Sequence, residues 1–107
     1  MIKKSLVSIL IINYNNEKYL DRAIKSCINQ TYKNLEILIY DDKSTDGSKF
    51  LLNKYSKHKK IKYFINKSIK INIPAIDAKN SYYKLISKSK GDLIFLLDSD
   101  DYFVKDK

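Results

Sequence analysis

The sequence predicts an α/β fold with a mostly parallel sheet and alternating helices, and three observations carry that prediction. Leu6–Ile12, Leu35–Tyr40 and Leu93–Leu97 are apolar runs without the alternation of a half-solvated strand, so they read as strands covered on both faces. Between them lie segments whose apolar residues recur at helical spacing. Clusters of Asn, Asp, Ser and Gly separate the two kinds of segment. The resulting order, β-α-β-α-β-α-β, requires parallel strands joined by right-handed crossovers.

The first strand, Leu6–Ile12, exits through Asn13-Tyr14-Asn15-Asn16. A helix follows from Glu17, with Asn15 or Asn16 as its cap and a buried stripe of Tyr19, Leu20, Ala23, Ile24, Cys27 and Ile28. Leu35–Tyr40 is the second strand and ends in Asp41-Asp42. The turn-rich Lys43–Ser48 leads to a helix over Ser48–Ser56 that buries Phe50, Leu51 and Tyr55. Ile61–Asn66 reads as a shorter strand near an edge, because of its lysine, and residues 67–72 read as loop. Pro74 opens a third helix with a stripe of Ala75, Ala78, Tyr82, Leu85 and Ile86. Gly91 suits a left-handed cap, and Leu93–Leu97 is expected to be a buried strand.

A length of 107 residues allows one domain, spanning the whole chain. The formal charge of +9 raises nucleic acid or an anionic membrane as a partner. Its distribution points away from nucleic acid: lysines are scattered, whereas six of the twelve acids (Asp41, Asp42, Asp46, Asp98, Asp100, Asp101) gather at two strand ends. Cys27 is the only cysteine, so no internal disulfide forms, and a reducing, cytoplasmic setting is the expectation. No stretch approaches the roughly 20 apolar residues of a membrane span. Any association with a membrane is therefore expected to be peripheral, or through parts absent from this chain.

The apolar run ending in Asp98-Ser99-Asp100-Asp101 is the chemical centre of the sequence. In an extended chain Asp98 and Asp100 share a face, and carboxylates so close call for a cation, for which hard divalent ions are suited. Tyr14, Asp41-Asp42 and Asp98-Asp100 all follow strands, and parallel sheets bind ligands beyond the carboxyl ends of their strands. A solvated acidic loop is the plainer reading of the D-x-D by itself; the convergence of three strand ends favours a site.

Val7–Asn16, Gln30–Ile37, Asp41–Ser48 and Gly91–Asp101 together resemble the nucleotide-sugar-binding half of family 2 glycosyltransferases with the GT-A fold, a Rossmann-like half-domain. The resemblance implies a nucleotide-diphosphate sugar donor, with a UDP-sugar expected, and Mn²⁺ or Mg²⁺ as cofactor. It implies donor binding by Tyr14, Asp41, Asp42 and Asp98: Tyr14 beside the uracil or ribose, Asp42 accepting a hydrogen bond from the uracil ring, and Asp98 near ribose and metal. Asp100 would hold the metal together with Asp98. Inverting transfer to a glycan or lipid-linked acceptor, in polysaccharide or glycolipid synthesis, is the implied reaction.

The chain departs from the family pattern in having Ile12-Asn13 where many relatives have Pro-Thr or Pro-Ala, and Lys79 where an Arg is usual. No residue matches the general base, so the isolated chain is expected to bind donor without turnover and to be truncated after the D-x-D. A catalytically incomplete binding module and a basic nucleic-acid-binding domain are the alternatives. Self-association through apolar surface on the last strand is also expected.

Overall fold

The computed structural model describes residues 5–66 and 82–103. Within them the chain runs β1 (Val7–Asn13), α1 (Glu17–Ile28), β2 (Leu35–Asp41), α2 (Ser48–Lys54), β3 (Ile61–Ile65), a helix α3 over 82–88, and β4 (Leu93–Asp98). The four strands form one parallel sheet in the order β3-β2-β1-β4. The expected fold class holds, with β3 on an edge as its lysine suggested. Pro74, Ala75, Ala78 and the expected loop at 67–72 lie outside the described residues.

Because paired residues in a parallel sheet share a face, the register sorts the core into two layers. Ile9, Ile11, Ile37 and Ile39 face α1 and α2, packing on Leu20, Ala23, Ile24, Cys27 and Leu52. Leu10, Leu38 and Tyr40 face the other way, onto Leu85 of α3. Full burial of each such aliphatic side chain contributes about 1.5–3 kcal/mol. Cys27 belongs to the first layer, and burial pushes its thiol up to about 12, so it stays protonated and acts as a core residue.

Four local expectations are revised. At α2 Leu51 and Tyr55 pack partly buried on the core as expected, but the fully buried apolar residue is Leu52 and Phe50 is 72% exposed, because the seven-residue helix points one face only at the sheet. Gly91 has no left-handed φ. It is instead a point of close approach: a Cβ there would lie 2.3 Å from Ser8 Oγ and 2.6 Å from the Ser8 backbone nitrogen. β4 is not buried on both faces but forms the sheet's other edge, and Leu93, Ile94, Phe95 and Leu96 are all exposed. Finally, the chain is no longer extended at the D-x-D: β4 ends at Asp98, and the Asp101 N–H donates to the Asp98 carbonyl at 2.9 Å, closing a turn over Ser99-Asp100.

Candidate active site at the carboxyl edge of the sheet

The strands end nearly level. The register sets Asn13 against Asp41 and Ile12 against Asp98, so the exits of β1, β2 and β4 share one edge. Connections run outward from β1 through β2 to β3 and then return to the other side of β1 as β4. That reversal makes the β1/β4 boundary the topological switch point, where such sheets open a crevice. Tyr14 stands on one side of this boundary and Asp98–Asp101 on the other.

The turn after β2 is built around Asp41, which is fully buried. Its Oδ1 accepts from Asn13 Nδ2 at 2.9 Å and from Ser44 Oγ at 2.6 Å, and its Oδ2 accepts from the Ser44 N–H at 3.0 Å. Ser44 Oγ accepts in turn from the Asn15 N–H at 2.9 Å. This network holds Lys43 at φ 59, a left-handed conformation that costs a non-glycine residue about 1–2 kcal/mol. Asn15, also left-handed at φ 50, accepts on its Oδ1 from the Thr45 N–H at 2.7 Å. The carboxylate of Asp41 thus acts inside the protein, fixing the loops on either side.

Asp42 is 7% exposed; its N–H donates to the Asn13 carbonyl and its Oδ1 accepts from Asn66 Nδ2, both at 2.9 Å. Tyr14 is half exposed. Asp98 sits on the α3 face of the sheet with Ile12 and Tyr40, and the Tyr82 hydroxyl lies 3.5 Å from its Oδ1. Burial, and then the Asp98 charge, hold the Tyr82 phenol above its ordinary value, so Tyr82 remains a donor. Asp100 is exposed, and among the described residues its carboxylate meets no hydrogen-bond donor or cation.

Asp46 links the two helix starts near this edge. Asn16 occupies the cap position of α1 without a side-chain cap bond, and Gly47 precedes α2. Asp46 supplies both, accepting from the Glu17 N–H at 3.0 Å and the Ser48 N–H at 2.9 Å. Slight burial raises the Asp46 carboxyl, but hydrogen bonds from Ser48 and from the Glu17 backbone outweigh it and leave the group below its usual range.

Among the described residues, no group of three or more His, Cys, Asp or Glu could hold a metal unaided. Mn²⁺ or Mg²⁺ bound through one or two carboxylates, with phosphate oxygens and water completing its shell, asks for less. An exposed carboxylate unengaged by its described neighbours, Asp100, near a second acid, Asp98, fits that demand. A half-open groove of about 620 Å³ lined by Ser26, Asn29, Gln30, Thr31, Lys33 and Phe103 has no acidic residue in its lining and lies away from this edge.

The model of glycosyl transferase family 2 matches residues 8–107, nearly the entire chain. The chain belongs to that family. Over 102 residues this family 2 chain is 41% identical to the UDP-Glc:alpha-D-GlcNAc-diphosphoundecaprenol beta-1,3-glucosyltransferase WfaP of Escherichia coli, covering 95% of the chain but 38% of that protein. Among solved structures it is similar to S. aureus TarS 1-349 in complex with UDP-GlcNAc, with a TM-score of 0.69 and 25% identity over 90% of this chain and 27% of that one. A mannosyltransferase from Pyrobaculum calidifontis, in complex with GDP-Man and Mn²⁺, shares the fold at a TM-score of 0.75 and 15% identity, covering 91% of this chain and 28% of that one. The family 2 chain therefore spans well under half the length of these proteins.

The sequence pointed to the acids at this edge but not to Asn66 and Ser44, which hold Asp42 and Asp41. Asn66 follows β3 directly and Ser44 follows Asp41 by three residues, so position after a strand was an available signal for both.

Proposed function

We propose that this region binds the nucleoside diphosphate of a UDP-sugar, with a divalent cation, for inverting transfer of the sugar to a hydroxyl of a glycan or lipid-linked acceptor. The observation that carries this reading is the convergence of Tyr14, Asp42, Asp98 and Asp100 on the carboxyl edge at the switch point, in a family 2 chain. In this reading the Tyr14 ring lies against the uracil or ribose and Asp42 accepts from the uracil N–H. Asp41 acts from beneath, through Ser44 and Asn13. Asp98 lies by the ribose and cation, and Asp100 holds Mn²⁺ or Mg²⁺. When bound, that ion neutralises charge gathering on the departing diphosphate.

The UDP-Glc named for the E. coli relative and the UDP-GlcNAc bound to TarS support a UDP donor. The diphosphoundecaprenol-linked acceptor named for that relative supports a lipid-linked acceptor, and with it work at a membrane surface. There a chain of charge +9 is attracted to anionic lipid. Among the described residues no helix is long and apolar enough to cross a membrane.

Calorimetric titration of UDP with and without Mn²⁺ tests the reading. The folded chain should bind UDP more tightly with the ion, and Asp100→Ala should remove about tenfold or more of that metal-dependent gain. Absence of UDP binding by the folded chain refutes the site.

The β4 edge carries a separate expectation. Its outward backbone groups and four exposed apolar side chains form a template for a second copy. Two chains of charge +9 repel, so the mass seen by light scattering should rise with protein concentration and rise further when salt screens that repulsion. A monomer at all salt concentrations contradicts this.

A further inference from the structure

Beside the buried stripe of Leu20, Ala23, Ile24 and Cys27, the cap residue Asn16 and α1 residues Tyr19, Arg22 and Ser26 form a second row, spaced by three, three and four residues and hence on one flank; Tyr19, expected in the buried stripe, is exposed here. This row meets the chain as it leaves β4. Asn16 Nδ2 donates to Ser99 Oγ at 2.8 Å, Arg22 Nη2 donates to the Asp100 carbonyl at 3.0 Å, and the Phe103 N–H donates to Ser26 Oγ at 3.0 Å. The Arg22 guanidinium also lies 4.3 Å from the centre of the Tyr102 ring and 5.4 Å from that of Tyr19.

We infer that Arg22 is a positioning residue for the acidic turn, holding the Asp100 peptide in place so that its carboxylate is presented to a cation already ordered; this rests on the donor-site reading above. The choice of atom is informative. A guanidinium paired with the Asp100 carboxylate would compete with a metal for it, whereas a guanidinium on the carbonyl fixes the residue and leaves the carboxylate to the ion. Stacking on Tyr102 while donating to a carbonyl needs a planar, forked cation, which lysine does not supply. Asn16 and Ser26 anchor Ser99 and Phe103 independently, so loss of Arg22 loosens the middle of the turn while its ends stay attached. Ordering the ligand before the ion arrives removes an entropic cost of binding.

The test uses the 107-residue chain and its Arg22→Ala and Arg22→Lys variants, with folding checked by circular dichroism. Two measurements are made: hydrogen exchange at the Asp101 and Phe103 amides without ligand, and UDP titration with and without Mn²⁺. In Arg22→Ala the Asp101 amide should exchange about tenfold faster, with Phe103 less affected. The metal-dependent gain in UDP affinity should fall about tenfold, while metal-free UDP binding stays unchanged. Arg22→Lys should resemble Arg22→Ala in both measurements.

Unchanged exchange at Asp101 overturns the inference even if the wild type binds no UDP, an outcome that separately refutes the donor site. Faster exchange with an undiminished metal-dependent gain also overturns it. So does loss of metal-free UDP binding, which would make Arg22 a direct ligand contact, and so does full function in Arg22→Lys, which would make charge alone the requirement.

Discussion

Asp41→Ala is expected to destabilise the chain by about 3–5 kcal/mol, because it leaves several buried donors without an acceptor. The Ser44 N–H, Ser44 Oγ and Asn13 Nδ2 all point at its carboxylate, and no water reaches a side chain that is fully buried. A second contribution comes from Lys43, whose left-handed backbone persists only while Asp41 and Ser44 close the turn around it. For a domain of this size that loss corresponds to a fall in melting temperature of roughly 15 °C or more. Asp41→Asn keeps one acceptor oxygen but turns an amide N–H₂ towards existing donors, so it should recover only part of the loss. UDP affinity should fall in both variants even at temperatures where they remain folded, since Asn15 and the Asp42 backbone are held through the same network. Thermal melts of the two variants decide the matter: an Asp41→Ala chain as stable as wild type would show that the network relaxes without cost.

Gly91→Ala should cost about 3 kcal/mol, at the upper end for one added methyl group. The new carbon would meet Ser8 at both Oγ and the backbone nitrogen, and would lie 3.0 Å from the Leu93 carbonyl. Ser8 has little room to yield, because its hydroxyl donates to Glu36 Oε2 at 2.6 Å and accepts from the Gly91 N–H at 2.8 Å. Its backbone belongs to an inner strand of the sheet, paired on both sides. Relief therefore requires β4 to shift against β1, which also displaces the acidic turn at the other end of β4. The double variant Ser8→Ala/Gly91→Ala separates the two collisions. It removes the hydroxyl but not the backbone nitrogen, so chemical denaturation should show most of the loss remaining. Complete recovery would mean that only the side chain was in the way.

The alternation of strands and helices was legible because each signal was local. Runs such as Leu35–Tyr40 and stripes such as Leu20, Ala23, Ile24 and Cys27 declare their structure within one or two turns of chain. Phe50 shows where that reading stops: hydrophobicity nominated it, but the orientation of α2 against the sheet selected Leu52. β4 was misread for a related reason. Its composition is that of a fully covered strand, whereas its neighbours are set by strand order, which no short window contains. In the site, the acids were visible because charge at a strand end is conspicuous. The division between Asp41, turned inward, and the exposed Asp100 was not visible, since it depends on Asn13 at the end of β1 meeting Ser44 in the loop after β2. Gly91 was noticed as a glycine but assigned a conformational role, when the constraint is contact with a residue 83 positions away.

The central place of β1 has a consequence for the order in which the molecule can be assembled. β1 is made before the other three strands of the sheet but is bounded on one side by β4, and the Leu6 N–H to Asp92 Oδ2 hydrogen bond at their junction spans 86 positions. During synthesis β1 can pair early with β2, and β2 with β3, through crossovers of modest length. Its remaining edge must wait until the acidic segment has left the ribosome. Closing so long a loop is the entropically demanding step of this topology, so docking of β4 should come late and should be the step that first brings Asp98 and Asp100 to the loops after β1 and β2. In such a sequence of events the acidic turn joins the carboxyl edge only once β4 has docked, and a chain not yet made to that point has the hydrophobic layers without the turn.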